Sequence, residues 1–233
     1  MVTASSPTLA CPDPTRCTVI DVAKLPKFPT TVLGVATEWW RCYDGRWGYD
    51  EFNPGSSSAE TRFAPFGNNQ GEPVATMYMA QTPEAALLET VFHDVSQGAE
   101  RLIYEHTLAE RLLSRVLAPA AATLLDLRDP VLHALGVHRM QLVTSTAEHY
   151  PCTRRVAKAL HNSTTDVAGL IWHSRQAELA GRTPSEVVIL FGDRYPHERG
   201  LWLRRSPGSQ NLFEGSGRLL VDELAVELDA VVV

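Results

Sequence analysis

No stretch of the 233 residues is apolar for long enough to cross a membrane as a helix. The opening residues, Met1-Val2-Thr3-Ala4-Ser5-Ser6-Pro7, carry neither the basic flank nor the apolar run of an export signal. A cytoplasmic location without membrane association is therefore expected. Cysteine is scarce: Cys11, Cys17, Cys42 and Cys152 are scattered along the chain, and no two close pairs stand at the spacing of a zinc site. Free thiols are expected, since a chain of this length has a core of its own and does not need disulfides to fold. The eight histidines form neither an HxH nor an HExxH pattern, so no metal is expected. Positive charge is in deficit, with 21 Lys and Arg against 27 Asp and Glu and a net charge of −6. Such a chain repels the nucleic-acid backbone, and direct nucleic-acid binding is not expected. Internal repeats and low-complexity tracts are also lacking.

What is present is the composition of one globular domain, 44% hydrophobic and 21% charged. Residues 1–30 are rich in Pro, Thr and Ser without sustained periodicity and read as an N-terminal arm; residues 31–233 read as the folded domain. Val32 to Tyr43 suits a strand or a strand with a bend, residues 44–72 a long shaped loop, and Pro73 to Ala80 a buried strand. Thr82-Pro83-Glu84 is a strong helix start, with a capping hydroxyl, a proline suited to the first position and an acid suited to the dipole. Leu88, Val91, Phe92 and Val95 continue at helical spacing, so the helix is expected to reach about Val95. Further on, apolar segments lie at Leu102–Leu108 and Leu124–Leu127, a helix near Thr153–His161, and strands at Val167–Trp172 and Val187–Phe191. Gly169 suggests a bulge or a close backbone approach, and Arg218–Val233 packs as an edge strand or a helix.

Three charged residues stand where charge is costly. Glu89 has Ala85, Ala86, Phe92 and His93 as its helical neighbours. A carboxylate in such surroundings is partly desolvated, and it is either paired structurally or kept for function. Arg41 and Arg62 lie among aromatic residues; a buried arginine there forms a salt bridge or makes a two-pronged contact with phosphate oxygens. His93 is read as a satisfied structural group rather than a base.

The ordered set Arg41, Phe52-Asn53-Pro54, Arg62-Phe63-Ala64-Pro65, Met77-Tyr78-Met79-Ala80, Pro83-Glu84-Ala85-Ala86-Leu87-Leu88-Glu89 and Gly169-Leu170-Ile171-Trp172-His173-Ser174 resembles the RES domain family. The resemblance covers roughly residues 35–195. It implies an α+β fold like that of ADP-ribosyltransferases, in which helices flank mixed β-sheets. It also implies a toxin that degrades NAD+ and is restrained by an antitoxin partner of Xre type. Because toxin–antitoxin complexes commonly assemble through dimers, a homodimer is a further expectation.

Carried over motif by motif, the expected catalytic residues are Glu89, Arg62 and Arg41, with Tyr78 and Ser174 joining both arginines in holding the substrate. The implied reaction breaks the nicotinamide–ribose bond. Glu89 would stabilise the cationic sugar, the arginines would grip the diphosphate or place inorganic phosphate, Tyr78 would wall the nicotinamide pocket, and Ser174 would hydrogen-bond the ligand. NAD+ is then a substrate and no cofactor is called for. The acceptor is phosphate, as in an NAD+ phosphorylase, or water, as in an NAD+ glycohydrolase. Two other functions use the same residues: transfer of ADP-ribose to a protein, or a non-catalytic nucleotide- or partner-binding module in which Glu89 merely neutralises an arginine.

Overall fold

The run Val187-Val188-Ile189-Leu190-Phe191 forms a strand buried on both faces: Val187, Ile189 and Phe191 enter one apolar cluster, Val188 and Leu190 the other. Burying each such side chain contributes about 1.5–3 kcal/mol, which is why a continuous apolar run seeks the inside of a sheet. The structure, a computed structural model, describes residues 9–55, 60–93, 95 and 101–233. In chain order the strands are β1 (Thr30–Leu33), β2 (Glu38–Asp44), β3 (Thr76–Ala80), β4 (Leu102–Ile103), β5 (Arg111–Leu117), β6 (Ala122–Asp126), β7 (Gly169–His173), β8 (Glu186–Phe191), β9 (Leu203–Arg204), β10 (Gln210–Asn211) and β11 (Val231–Val232). The α-helices are α1 (Pro83–Leu88), α2 (Glu105–Leu108), α3 (Asp129–Ala134), α4 (Tyr150–Ser163), α5 (Arg175–Leu179) and α6 (Gly215–Glu227).

The main sheet runs β1-β6-β7-β8-β3-β2-β5-β10, with β9 also paired to β5, while β4 and β11 form a separate parallel pair. Within the main sheet only β6 and β7 are parallel. Helices α1, α4 and α6 supply Leu87, Leu88, Val156, Leu160, Val221 and Leu224 to the cluster on one face. The other face is covered by Phe52, Tyr195 and Trp202 from connecting segments. This is the mixed sheet with flanking helices that the family resemblance implied.

Several elements differ from the sequence reading. The single strand, straight or bent, expected over 32–43 is two strands. A turn in which Thr37 Oγ donates to the Gly34 carbonyl (2.7 Å) sends β1 to the sheet edge against β6, and β2 to its interior against β5. The strand expected from Pro73 begins at Thr76, because Pro73 and Val74 are engaged with the preceding loop at Gly67 and Phe66.

Helix α1 stops at Leu88 instead of continuing towards Val95, and residue 94 lies outside the described residues. Thr90 explains the stop: its hydroxyl donates to the Ala86 carbonyl (2.7 Å), closing the last turn. Phe92 and Val95 are nonetheless buried, so their spacing marked a core face but not its helix. Strand β5 drew no assignment from the sequence, since its pattern Arg111-Leu112-Leu113-Ser114-Arg115-Val116-Leu117 does not alternate cleanly. The C-terminal segment is both helix and strand, α6 and then β11.

The close approach anticipated at Gly169 is present. A β-carbon there would overlap the Ile189 carbonyl oxygen of the neighbouring strand β8. Gly169→Ala is expected to lower unfolding stability by about 1–3 kcal/mol through overpacking, measured by chemical denaturation. An unchanged denaturation midpoint would contradict the tight β7–β8 contact.

Candidate active site

Strands β2 and β3 pair at a single residue pair, Trp40 with Ala80. Beyond that pair the two strands part, and the wedge between them is a cavity of about 850 Å³. Such a volume lies within the usual range for small-molecule sites, about 300–1,000 Å³. Arg41, Cys42, Tyr43 and Asp44 line it from β2, and Thr76, Tyr78 and Met79 from β3. The end of α1 supplies Ala86, Glu89 and Thr90, and the long loop supplies Thr61 and Arg62. Arg41, Arg62 and Glu89, expected to share a cleft, therefore do so.

The two arginines are almost fully buried, with 6% and 7% exposure. Their partners are neutral. Arg41 donates through Nη1 to the carbonyls of Tyr49 (2.6 Å) and Gly48 (3.3 Å), and through Nη2 to that of Glu51 (2.5 Å). Arg62 donates through Nη1 to the carbonyl (2.9 Å) and hydroxyl (2.8 Å) of Ser145, and its guanidinium lies 5.0 Å from the Tyr150 ring centre. Among the described residues neither forms an ion pair with a carboxylate, so the salt-bridge reading of a buried arginine does not apply here.

Burial destabilises the cations, pushing Arg41 down to about 10 and lowering Arg62 as well. The charges of Tyr150 and Glu89 partly oppose this at Arg62. Carbonyl and hydroxyl dipoles orient the guanidinium groups without cancelling their charge. The cleft thus offers two fixed cations to an anionic ligand.

Glu89 caps the C-terminal end of α1, where the helix dipole disfavours a carboxylate. Ser174 compensates: its hydroxyl donates to Glu89 Oε1 at 2.5 Å and accepts from the Ala177 amide at 3.0 Å. This alters the expected part of Ser174. The side chain is fully buried, caps α5 and does not line the cavity, so it fixes the carboxylate rather than meeting a ligand.

Tyr78 does line the cavity, but its hydroxyl is engaged by the Thr61 hydroxyl (2.8 Å) and accepts from the Phe63 amide (3.1 Å). It therefore anchors the loop that carries Arg62, and burial raises its pKa so that the phenol stays neutral. Its ring packs edge to face on Trp172. A wall of the pocket is the role this position permits.

Other lining residues escaped the sequence reading. Tyr150, at the start of α4, stands 3.5 Å through its hydroxyl from Arg62 Nη2 and 2.7 Å from His93 Nε2, so His93 reaches the cleft after all. Arg111 adds a further cation whose side chain forms no ion pair or hydrogen bond among the described residues, whereas Arg46, also at the cavity, is paired with Asp44. No local pattern could have marked Tyr150 or Arg111, because each reaches the cleft only through long-range pairing; His93, four residues after Glu89, is the one of the three that local spacing does mark.

Comparison with known proteins agrees with this architecture. The model of the RES domain family matches residues 38–200. The fold is similar to a chain in the crystal structure of the M. tuberculosis MbcT-MbcA toxin-antitoxin complex, with a TM-score of 0.54 and 15% identity over 83% of this chain and 92% of that one. No curated protein matches the sequence.

Tyr78→Phe removes the partner of a backbone amide and of Thr61. The expected cost is about 1–3 kcal/mol, read as a drop in thermal midpoint of roughly 2–4 °C per kcal/mol for a chain of this size. A midpoint equal to the wild type would show that the Arg62 loop is held by other contacts.

Proposed function

Because the chain belongs to the RES domain family and its cleft sets the Glu89 carboxylate beside buried guanidinium groups, we propose that it is an enzyme that cleaves NAD+ between nicotinamide and ribose. The observation that carries this reading is the convergence of Arg41, Arg62 and Glu89 on one cavity, with both cations held by neutral groups. NAD+ combines an anionic diphosphate with a sugar that becomes cationic as its bond to nicotinamide breaks. A site with two buried cations, only partly offset by the charges of Asp50 and Glu89, and with an oriented carboxylate is complementary to both ends of that charge distribution.

In this reading the electron pair of the ribose–nicotinamide bond leaves with the pyridine ring, which departs as a neutral molecule and needs no proton donor. Positive charge develops on the ribose, and the Glu89 carboxylate, pinned by Ser174, lies beside it without having to reorganise. Arg41 and Arg62 hold the diphosphate, so binding energy remote from the reacting bond fixes the sugar in place. The acceptor oxygen then bonds to the anomeric carbon. If it belongs to water, a proton must be released, and Glu89 is placed to take it; if it belongs to phosphate, the attacking oxygen is already anionic. Arg111 lines the same cleft and would favour the anionic acceptor.

The structure with the similar fold is that of a toxin–antitoxin complex, which supports a toxic role and an antitoxin partner here. The family resemblance suggests that this partner is of Xre type. Among the described residues no helix is long and apolar enough to cross a membrane.

Purified protein incubated with NAD+ is expected to release nicotinamide, and added phosphate separates the acceptors: ADP-ribose-1″-phosphate marks a phosphorylase, ADP-ribose a glycohydrolase. Glu89→Ala is expected to lower kcat by about 10²–10³-fold, the usual effect of removing a preorganised stabilising group. Ser174→Ala should lower kcat roughly tenfold, equivalent to about 1.4 kcal/mol, while KM stays near the wild-type value because the hydroxyl does not face the cleft. Undiminished turnover by Glu89→Ala would overturn the assignment. Label from NAD+ appearing on protein would redirect it to ADP-ribosyl transfer, and tight NAD+ binding without turnover would redirect it to a binding module.

A further inference from the structure

The cysteines are scattered in sequence but not in space. Sγ of Cys11, Cys17 and Cys152 and a ring nitrogen of His149 all lie within 4.8 Å of one another. Cys17 and Cys152, far apart in the chain, approach to 3.6 Å between sulfurs, and all four cysteines are unbridged. A tetrahedral zinc ion with Zn–S bonds of about 2.3 Å sets its sulfurs roughly 3.8 Å apart. The observed spacing is close to that value and far from the roughly 2.05 Å of a disulfide.

Two short segments build the cluster. His149 and Cys152 stand three residues apart at the start of α4, which places them on one side of its first turn. Cys11 and Cys17 flank a turn closed by Asp13, whose carboxylate accepts from the Thr15 hydroxyl (2.7 Å) and from Arg16 Nε (2.7 Å). Among the described residues, two hydrogen bonds link residues 18–25 to the body, from Thr18 Oγ to the Met140 carbonyl (3.2 Å) and from the Ile20 amide to the Gln141 carbonyl (2.9 Å). The short 3-10 turn that comes next, Val22–Lys24, buries no residue.

A second observation points to a ligand. His149 is only 4% exposed, yet its Nδ1 is buried without a hydrogen-bond partner. A buried, unsatisfied ring nitrogen costs free energy unless something fills its lone pair or takes its proton. Its Nε2 lies 3.7 Å from the Glu148 carboxylate, the kind of outer partner that commonly orients a metal-bound imidazole.

We propose that Cys11, Cys17, His149 and Cys152 together bind one structural zinc ion, which staples the N-terminal arm to the first turn of α4. Three sulfurs and one imidazole suit zinc rather than a hard cation such as calcium or magnesium. Binding displaces the thiol protons and transfers no electrons. All four positions are filled by protein, as in structural rather than catalytic zinc sites. The staple has a consequence for the cleft, because His149 and Cys152 bracket Tyr150, and Thr153 follows at once. Tyr150 meets the Arg62 guanidinium, and the Thr153 hydroxyl donates to the Arg62 carbonyl at 2.5 Å. Two of the four ligands, Cys11 and Cys17, precede the stretch 38–200 matched by the family, so the site belongs to this chain's own arm.

The test measures metal on the full chain, purified without chelator from cells supplied with zinc. Elemental analysis is expected to give about one zinc per chain, and a Cys17→Ser, Cys152→Ser double variant to lose it, while Cys42→Ser retains it. Should the double variant fail to fold, the wild-type protein still decides: exchange of zinc for Co2+ should give thiolate-to-cobalt charge transfer and the visible bands of tetrahedral coordination. Zinc removal should also lower the thermal midpoint and speed proteolysis within residues 9–29. A zinc-free wild-type protein that takes up Co2+ without thiolate bands would overturn the site. So would an intact mass showing Cys17 and Cys152 joined as a disulfide, or a double variant that keeps its full zinc. None of these readings uses NAD+, so they stand apart from the catalytic assignment.

Discussion

The whole site depends on the place where β2 and β3 stop pairing. An antiparallel ladder is stabilised by each additional hydrogen-bonded pair, yet these strands meet only at Trp40 and Ala80. On the far side of β2 the pairing with β5 is complete from Glu38 to Asp44, and on the far side of β3 the pairing with β8 is complete from Thr76 to Ala80. Each half of the sheet is therefore rigid in itself, and the gap between them persists as a cleft. Strand residues of β2 and β3 line both of its walls beside the loop that carries Arg62, which gives the site a precision that loops alone seldom provide.

Within that cleft, charge is arranged by neutral groups. Arg41 is held by three carbonyl oxygens of the segment 48–51, and Arg62 by Ser145 beside Tyr150. Pairing either cation with a carboxylate would have lowered the cost of burial but removed the field that an anionic ligand requires. Glu89 is treated differently: it receives a hydroxyl from Ser174 and feels Arg62 across the cleft. Tyr78 and Thr153 fasten the Arg62 loop at its two sides, so that the geometry rests on β3 and α4 together. Stability and site construction draw on the same contacts here, and the arm cluster at His149 and Cys152 extends that link to the chain's beginning.

Local chemistry made several features legible in the sequence. The cap at Thr82, the doubly buried run 187–191 and the tight approach at Gly169 each follow from a property of the residue itself: a hydroxyl acceptor, uninterrupted apolar side chains, the absence of a β-carbon. The cost of burying Arg41, Arg62 and Glu89 was legible for the same reason, and so was their candidacy. The length of α1 was not, because one hydroxyl at Thr90 outweighs a helical spacing that continues to Val95. Strand β5 was missed because its burial is imposed by its neighbours β2 and β10 rather than by its own alternation.

The sequence alone determined which groups could carry charge, cap a helix or fill a core, since those are properties of single residues and short spacings. Tertiary structure decided which groups meet. It drew Ser174 beneath Glu89 instead of into the cleft, brought Tyr150, His93 and Arg111 to the arginines, and gathered Cys11, Cys17, His149 and Cys152 from two distant segments. The reason is physical: the encounter of remote side chains is governed by strand order, helix packing and loop closure, none of which is encoded in the spacing of the residues that finally touch.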